Sequence, residues 1–459
     1  MSIARSLPSW SNQLAVYLGT VGAAVGLGSI WRFPYLAGTY GGGTFIAVFV
    51  LACLFVATPL LVAEFMIGRY ARVSPASAAG AMAVSIGASP RWNVIGTVGT
   101  VAAFLIGSYY TIIAGWIIAY AWKCATGSLA GLGRPALQAV WADFLADPWA
   151  LMGWQVLFLC LVAFISARGL GRGIEVASRV RAPLLLALLL LLDAYSLLTG
   201  DVPATLSFAF APHLGALSGE LVLAAIGQAF YATGVGIAIM LAYGSYMQRD
   251  APLAKPALII TGAILCVSLL ATLMVFPLVF RFHMNPAAGP ALVFDVLPTA
   301  FAAMPAGRLV GTVFFVLLIL AALTPSLAVF EPVVAWFESR GTARAPAALF
   351  TVAVLWLAGI VSVLSFNTLK DWHPLASIPV FADKTAFETI DFIASNLLLP
   401  GGALLSCLFT GWRLDRVRFD AEFGPGQRRV AHLCRLLLRY VCPVSILAVL
   451  VITFVPAPH

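Results

Sequence analysis

The sequence predicts an all-α integral membrane protein: eleven transmembrane helices forming two inverted five-helix repeats, plus one extra C-terminal helix. Three observations lead there. The 459 residues are 62% hydrophobic and 10% charged, with a mean hydropathy of +1.00, a balance outside the range of soluble domains. Windows of about 20 apolar residues, enough to cross the hydrocarbon core, occur eleven times. Two of these windows are interrupted by glycines and polar side chains, and they lie five spans apart.

The first span, 14–36, carries the interruption Gly22-Ala23-Ala24-Val25-Gly26-Leu27-Gly28-Ser29-Ile30-Trp31-Arg32-Phe33-Pro34. Unpaired backbone groups are so costly in hydrocarbon that a helix breaks at membrane depth only where it lines a cavity. Spans at 43–68, 93–124 and 153–168 follow. The fifth, 174–198, is bracketed near its start by Gly173 and Pro183, which supply the means for local unwinding. The sixth, 220–247, repeats the interruption as Gly227-Gln228-Ala229-Phe230-Tyr231-Ala232-Thr233-Gly234-Val235-Gly236. The seventh, 256–281, has no Asn, Asp, Gln or Glu between 257 and 279. Spans at 307–338, 346–365, 388–412 and 434–455 complete the series, several of them long enough to tilt or bend. A single transporter domain, 1–459, thus divides into a first repeat at 14–198, a second at 220–412 and an additional helix at 434–455. Five being odd, the second repeat runs inverted to the first, as paired broken helices in a secondary transporter require.

Basic residues orient the chain. With the N-terminus in the cytoplasm, 19 of the 26 Lys and Arg residues fall inside, against 6 outside. The inner set includes Arg5, Arg168, Arg172, Arg179, Arg181 and the run from Arg413 to Arg439. The net charge of +8 therefore reads as topology in a lipid bilayer. Binding of nucleic acid would need a contiguous basic face and is not expected. No cleavable signal precedes the first span. The seven cysteines form no CxxC pair and the five histidines lie in loops, at a span end or at the C-terminus, so no metal, cofactor or disulfide is expected. No catalytic constellation is visible, which argues against an enzyme.

At this point the chain resembles the neurotransmitter:sodium symporters. The matching residues are Gly26-Leu27-Gly28-Ser29-Ile30-Trp31-Arg32-Phe33-Pro34-Tyr35, Gly41-Gly42-Gly43-Thr44-Phe45, Pro59-Leu60, and Glu64 through Tyr70. Further along come Tyr109-Tyr110, Gly227-Gln228, Ser245-Tyr246, Gly289-Pro290-Ala291-Leu292-Val293-Phe294 with Leu297-Pro298, and Glu331-Pro332. The resemblance implies a bacterial inner-membrane protein with its C-terminus outside and a central site between the first, third, sixth and eighth spans. It implies that a substrate carboxylate meets the backbone amides of Leu27 and Gly28 and the hydroxyl of Tyr110, since a half-helix start presents positive partial charge to an anion. The substrate amine would meet carbonyls at Ala24, Tyr231 and Ala232. Gly26 stands where amine-selective relatives carry aspartate, so an amino acid with its own carboxylate is expected. Ile106, Tyr110, Tyr231, Gly234, Ile237, Pro325 and Val329 would line the side-chain pocket. It holds no charge, so a branched aliphatic amino acid such as leucine fits best, with a broad preference.

The departures from the family pattern concern its ions. Sodium needs several hard oxygen ligands. At the first family site this chain has Ser29, Ala232 and Ala263 where asparagine, threonine and asparagine are expected. At the second, carbonyls of Gly22, Val25 and Ala321 and the Thr324 hydroxyl remain, but Pro325 replaces a serine. An ion that does not bind couples nothing, so a sodium-independent carrier is expected, with a proton as the coupling ion and Glu64 and Glu331 as its intramembrane candidates; Asp193 is weaker. The alternatives are sodium symport through the residual second site, and a non-transporting amino-acid sensor. Arg32 and Asp391 match an outer gate pair. Inside, Trp10 and Tyr246 match, but the family's arginine two residues before its tryptophan does not: Arg5 stands five residues before Trp10, and Ser339, preceded by Glu338, stands where an acidic partner is expected.

Overall fold

The computed structural model describes residues 10–211, 214–287, 292–424 and 426–454; Arg5 and Gly289-Pro290-Ala291 lie outside them. Among the described residues every regular element is helical. Nine helices among these residues are long and apolar enough to cross a membrane: α3 (Gly43–Ala71), α4 (Pro90–Thr126), α5 (Pro148–Ser166), α6 (Leu170–Thr199), α9 (Ala254–Arg281), α10 (Gly307–Glu338), α11 (Arg344–Leu364), α12 (Ala386–Arg413) and α13 (Arg428–Phe454). A tenth crossing forms from α1 (Gln13–Ala24) and α2 (Gly28–Thr39), which meet at a 48° bend.

The expected span at 220–247 is two helices, α7 (Gly219–Thr233) and α8 (Ile239–Ser245). Neither is long enough to cross alone, because the chain between them is not helical. Burial sorts the helices into an inner and an outer layer. The apolar windows of α4 and α10 are 78% buried inside the protein, those of α6 and α13 only 28%. The inner helices therefore shape the site, and the outer ones turn most of their surface to lipid.

Two features differ from the sequence reading. The fifth span does not unwind between Gly173 and Pro183. It starts in a wide π turn, Leu170–Glu175, and continues as regular helix past Pro183. One missing N–H is a local defect, and packing against α9 and α10 holds the helix around it. The run from Arg413 to Arg439 is also not loose chain. It contains a short helix, Arg416–Phe423, with Phe419 and Phe423 buried, pinned by the 2.6 Å ion pair Arg69–Glu422.

Candidate functional site

Two helix breaks face one another at the centre. At the first, α1 ends at Ala24, and Val25 turns to an extended conformation while its N–H still bonds Val21 O at 2.7 Å. The chain resumes as helix at Gly28. A helix leaves its last four carbonyls and first four amides without partners of its own. The end of α1 therefore presents carbonyl oxygens, and the start of α2 presents amides, including those of Leu27 and Gly28. Close packing fixes this break: a Cβ on Gly26 would lie 2.4 Å from Pro325 Cγ, and one on Gly28 would lie 3.0 Å from the Tyr231 ring. Gln228 Nε2 donates to Gly28 O at 2.7 Å, tying the two breaks together.

At the second break Gly234 and Gly236 adopt φ of +67° and +85°, and Ala238 +58°. Glycine reaches this left-handed region without steric penalty. Glu64 Oε1 accepts from the Gly236 N–H at 2.6 Å and satisfies the exposed backbone. This contact gives Glu64 a structural task; its Oε2 is buried without a hydrogen-bond partner.

A cavity opens between the breaks. Ala24, Gly26, Leu27, Gly28, Ile106, Tyr110, Tyr231, Ala232, Gly234, Ile237, Pro325 and Val329 all line it, as do Ala23, Ile239 and Leu399. No charged side chain reaches the lining. Its polar groups include backbone amides and carbonyls and the Tyr110 hydroxyl, which is buried without a partner. Such a lining suits a zwitterion whose charges meet backbone dipoles and whose side chain meets apolar walls.

The second expected ion position holds something else. The carbonyls of Gly22 and Val25 accept from the Arg181 guanidinium, at 3.2 Å from Nη2 and 3.4 Å from Nη1, and Nη1 also donates to Leu320 O at 3.2 Å. Ala321 is one residue away, and the Thr324 hydroxyl nearby is buried and unpartnered. Ser29 is fully buried with its hydroxyl unpaired. Ala263 is only partly buried, on the shoulder of α9, while Thr261, Ile264, Val267 and Ser268 face inward. In a featureless apolar helix nothing in the sequence fixes that register. Among the described residues no cluster of His, Cys, Asp or Glu could hold a metal.

The outer gate differs from expectation. Arg32 lies over the Tyr231 ring at 4.3 Å, while Asp391 accepts from Ser395 Oγ at 2.9 Å, and Ser395 meets Tyr109 Oη at 3.3 Å. The pair makes no direct ion contact; a cation–π contact and a hydroxyl bridge occupy the two groups instead. Inside, Trp10 packs edge-on to Tyr243 and Tyr246, donating from N to Tyr246 O at 3.1 Å and from Nε1 to Tyr243 O at 3.2 Å. The Tyr246 hydroxyl donates to Glu331, and Arg344 clamps Glu331 at 2.6 and 3.0 Å and Glu338 at 3.2 Å. Glu331 is thus one member of a fixed ion cluster.

A model of the sodium:neurotransmitter symporter family matches residues 7–132 and 145–457. This chain belongs to that family. It is a multi-pass membrane transporter of the symporter family, and two bacterial relatives align with it almost end to end. It is 35% identical over 453 residues to the uncharacterized sodium-dependent transporter YhdH of Bacillus subtilis, covering 96% of each chain. It is 29% identical over 453 residues to an uncharacterized sodium-dependent transporter of Haemophilus influenzae, covering 97% of each. Its fold matches the crystal structure of MhsT in complex with L-phenylalanine with a TM-score of 0.89, at 35% identity over 97% of this chain and 100% of that one.

Three residues of this symporter-family site escaped the sequence reading. Arg181 counts there as an inner-side topology charge, although an arginine several residues inside an apolar span is itself a signal. Arg344 opens α11, and nothing local marks it as the partner of Glu331. Glu175 accepts from Ser11 N at 3.0 Å and Ser11 Oγ at 2.7 Å, closing the chain next to Trp10; no local pattern announces that contact.

Proposed function

We propose that this chain is a secondary active transporter of neutral, hydrophobic L-amino acids. It works by alternating access, with eleven crossings in two inverted repeats plus a final helix, N-terminus cytoplasmic and C-terminus outside, in a bacterial inner membrane. It is a carrier rather than an enzyme. The observation that carries the reading is an uncharged cavity at the junction of two helix breaks, lined by all twelve residues expected to hold the solute. The L-phenylalanine in MhsT supports an apolar amino acid of leucine to phenylalanine size.

For coupling, we propose a sodium-independent carrier that uses a proton. Support comes from the ligand set: Ala232 and Pro325 offer no side-chain oxygen, and sodium needs several. Of the two acids, Glu64, with an unpartnered buried oxygen, suits a proton carrier better than the ion-paired Glu331. A second reading, sodium symport, is favoured by the names of the Bacillus and Haemophilus relatives and by the unpartnered Thr324 hydroxyl. Uptake of radiolabelled L-leucine and L-phenylalanine into proteoliposomes tests both, with sodium, with choline, and with an imposed pH gradient. Accumulation in choline under an inward proton gradient is expected. A strict sodium requirement overturns the coupling, and no uptake under any gradient overturns the transport reading.

A further inference from the structure

We propose that the Arg181 guanidinium is a tethered cation that fills, as part of the protein, a cation site at the end of α1. The inference rests on the sodium-independent reading above and supplies its physical basis.

Arg181 sits on α6 and is 4% exposed. Among the described residues no carboxylate lies within ion-pair distance of it, whereas the buried Arg69 and the part-buried Arg344 each hold a glutamate. A buried arginine at membrane depth without a counter-charge is costly. Here the compensation comes from backbone alone, through the carbonyls of Gly22, Val25 and Leu320. Gly22 O is one of the last four carbonyls of α1, which a helix leaves unpaired and which carry its negative dipole end. α10 adds to the same field. Pro325 has no N–H, so Ala321 O lacks its donor one turn on. The result is a nest of oxygens from two helices with one fixed positive charge at its centre.

The consequence is mechanistic. A mobile cation couples because it binds one access state better than the other and then leaves. A guanidinium covalently attached to α6 cannot leave, so it holds α1, α6 and α10 together without drawing on an ion gradient. It also excludes a mobile cation from these carbonyls, by volume and by like charge. Removing it would expose a vacant oxygen nest of the kind small cations occupy.

The test uses purified full-length protein, with two readouts: radiolabelled L-leucine binding and the thermal unfolding midpoint. Each is measured in choline, in sodium and in millimolar guanidinium chloride. For the wild type, both readouts are expected to be the same in all three. In choline, Arg181→Ala should bind leucine about 5- to 150-fold more weakly, the usual span of coupling between two ligand sites. Adding sodium or guanidinium ions should restore its binding and raise its midpoint. Arg181→Lys, which keeps a charge, should bind in choline without either ion. Should Arg181→Ala not purify folded, Arg181→Gln carries the same comparison with most of the volume kept. Sodium dependence in the wild type overturns the sodium-independent reading and this assignment with it. A sodium-indifferent wild type whose neutral variants neither weaken nor answer to any cation overturns the Arg181 assignment alone.

Discussion

Replacing Gly26 by alanine should cripple solute binding by forcing the first break away from Pro325, itself a wall of the cavity. The new Cβ would lie 2.4 Å from Pro325 Cγ, 3.2 Å from Ala321 O and 3.3 Å from Pro325 Cβ. Ordinary contact starts at 3.4 Å, so the break and α10 must part by about 1 Å, roughly the scale of a packing defect that overfills a core. The proline ring is fixed in its helix and cannot swing aside. Overpacking of this kind costs about 1–3 kcal/mol, or roughly 5- to 150-fold in an equilibrium constant. The same parting misplaces the Leu27 and Gly28 amides, so the loss should appear in the dissociation constant for radiolabelled L-leucine, measured on purified protein. Gly227→Ala is the control. It sits in the other broken helix, with nothing within 4 Å of its Cβ, and alanine there gains about 1 kcal/mol of helix propensity. Its affinity should be unchanged. If Gly26→Ala binds like the wild type, or Gly227→Ala loses as much, the two breaks do not form the walls of the solute site.

Two further outcomes follow from the buried acids. Arg344→Ala leaves Glu331 buried without its counter-charge, which costs about 2–3 kcal/mol once the partial exposure of Arg344 is discounted; the unfolding midpoint should fall, and pairing the change with Glu331→Gln should cost less than the sum of the two, whereas strict additivity would show that the pair is not coupled. Glu64→Ala removes the acceptor of the Gly236 N–H and should destabilise by about 1–3 kcal/mol, while Glu64→Gln keeps an acceptor and most of the stability; equal unfolding midpoints for the two variants would show that this contact does not hold the second break.

Much of the site was legible because both breaks advertise themselves chemically. Glycines, Gln228 and Arg32 stand out against apolar membrane sequence, and the twelve residues around them do converge on one cavity. What stayed hidden was pairing across distance. Helical periodicity reveals a buried face but not its neighbour, so Arg181 reads as one of a cluster of topology charges rather than as the group bound to Gly22 and Val25. The same limit applies to Arg344 with Glu331 and to Ala263, whose helix offers no polar landmark to fix its register. The outer pair is a different case. Arg32 lies over an aromatic ring and Asp391 accepts from a serine hydroxyl, so each contacts a group other than the partner the sequence suggests.

The two interruptions are mechanically unequal. Each broken segment lies along an unbroken helix that bridges the gap like a splint: α9 contacts both α1 and α2, and α3 contacts both α7 and α8. The α3 splint is bolted on, with backbone nearly touching backbone at Gly68 and Gly244 and Glu64 fastened into the gap itself. The α9 splint is greasy, with no carboxylate or amide side chain to grip the chain it supports. The first break is therefore gripped from elsewhere, by Arg181 at Gly22 and Val25 and by Gln228 at Gly28, while the stretch from Gly234 to Ala238 travels as cargo on its neighbour.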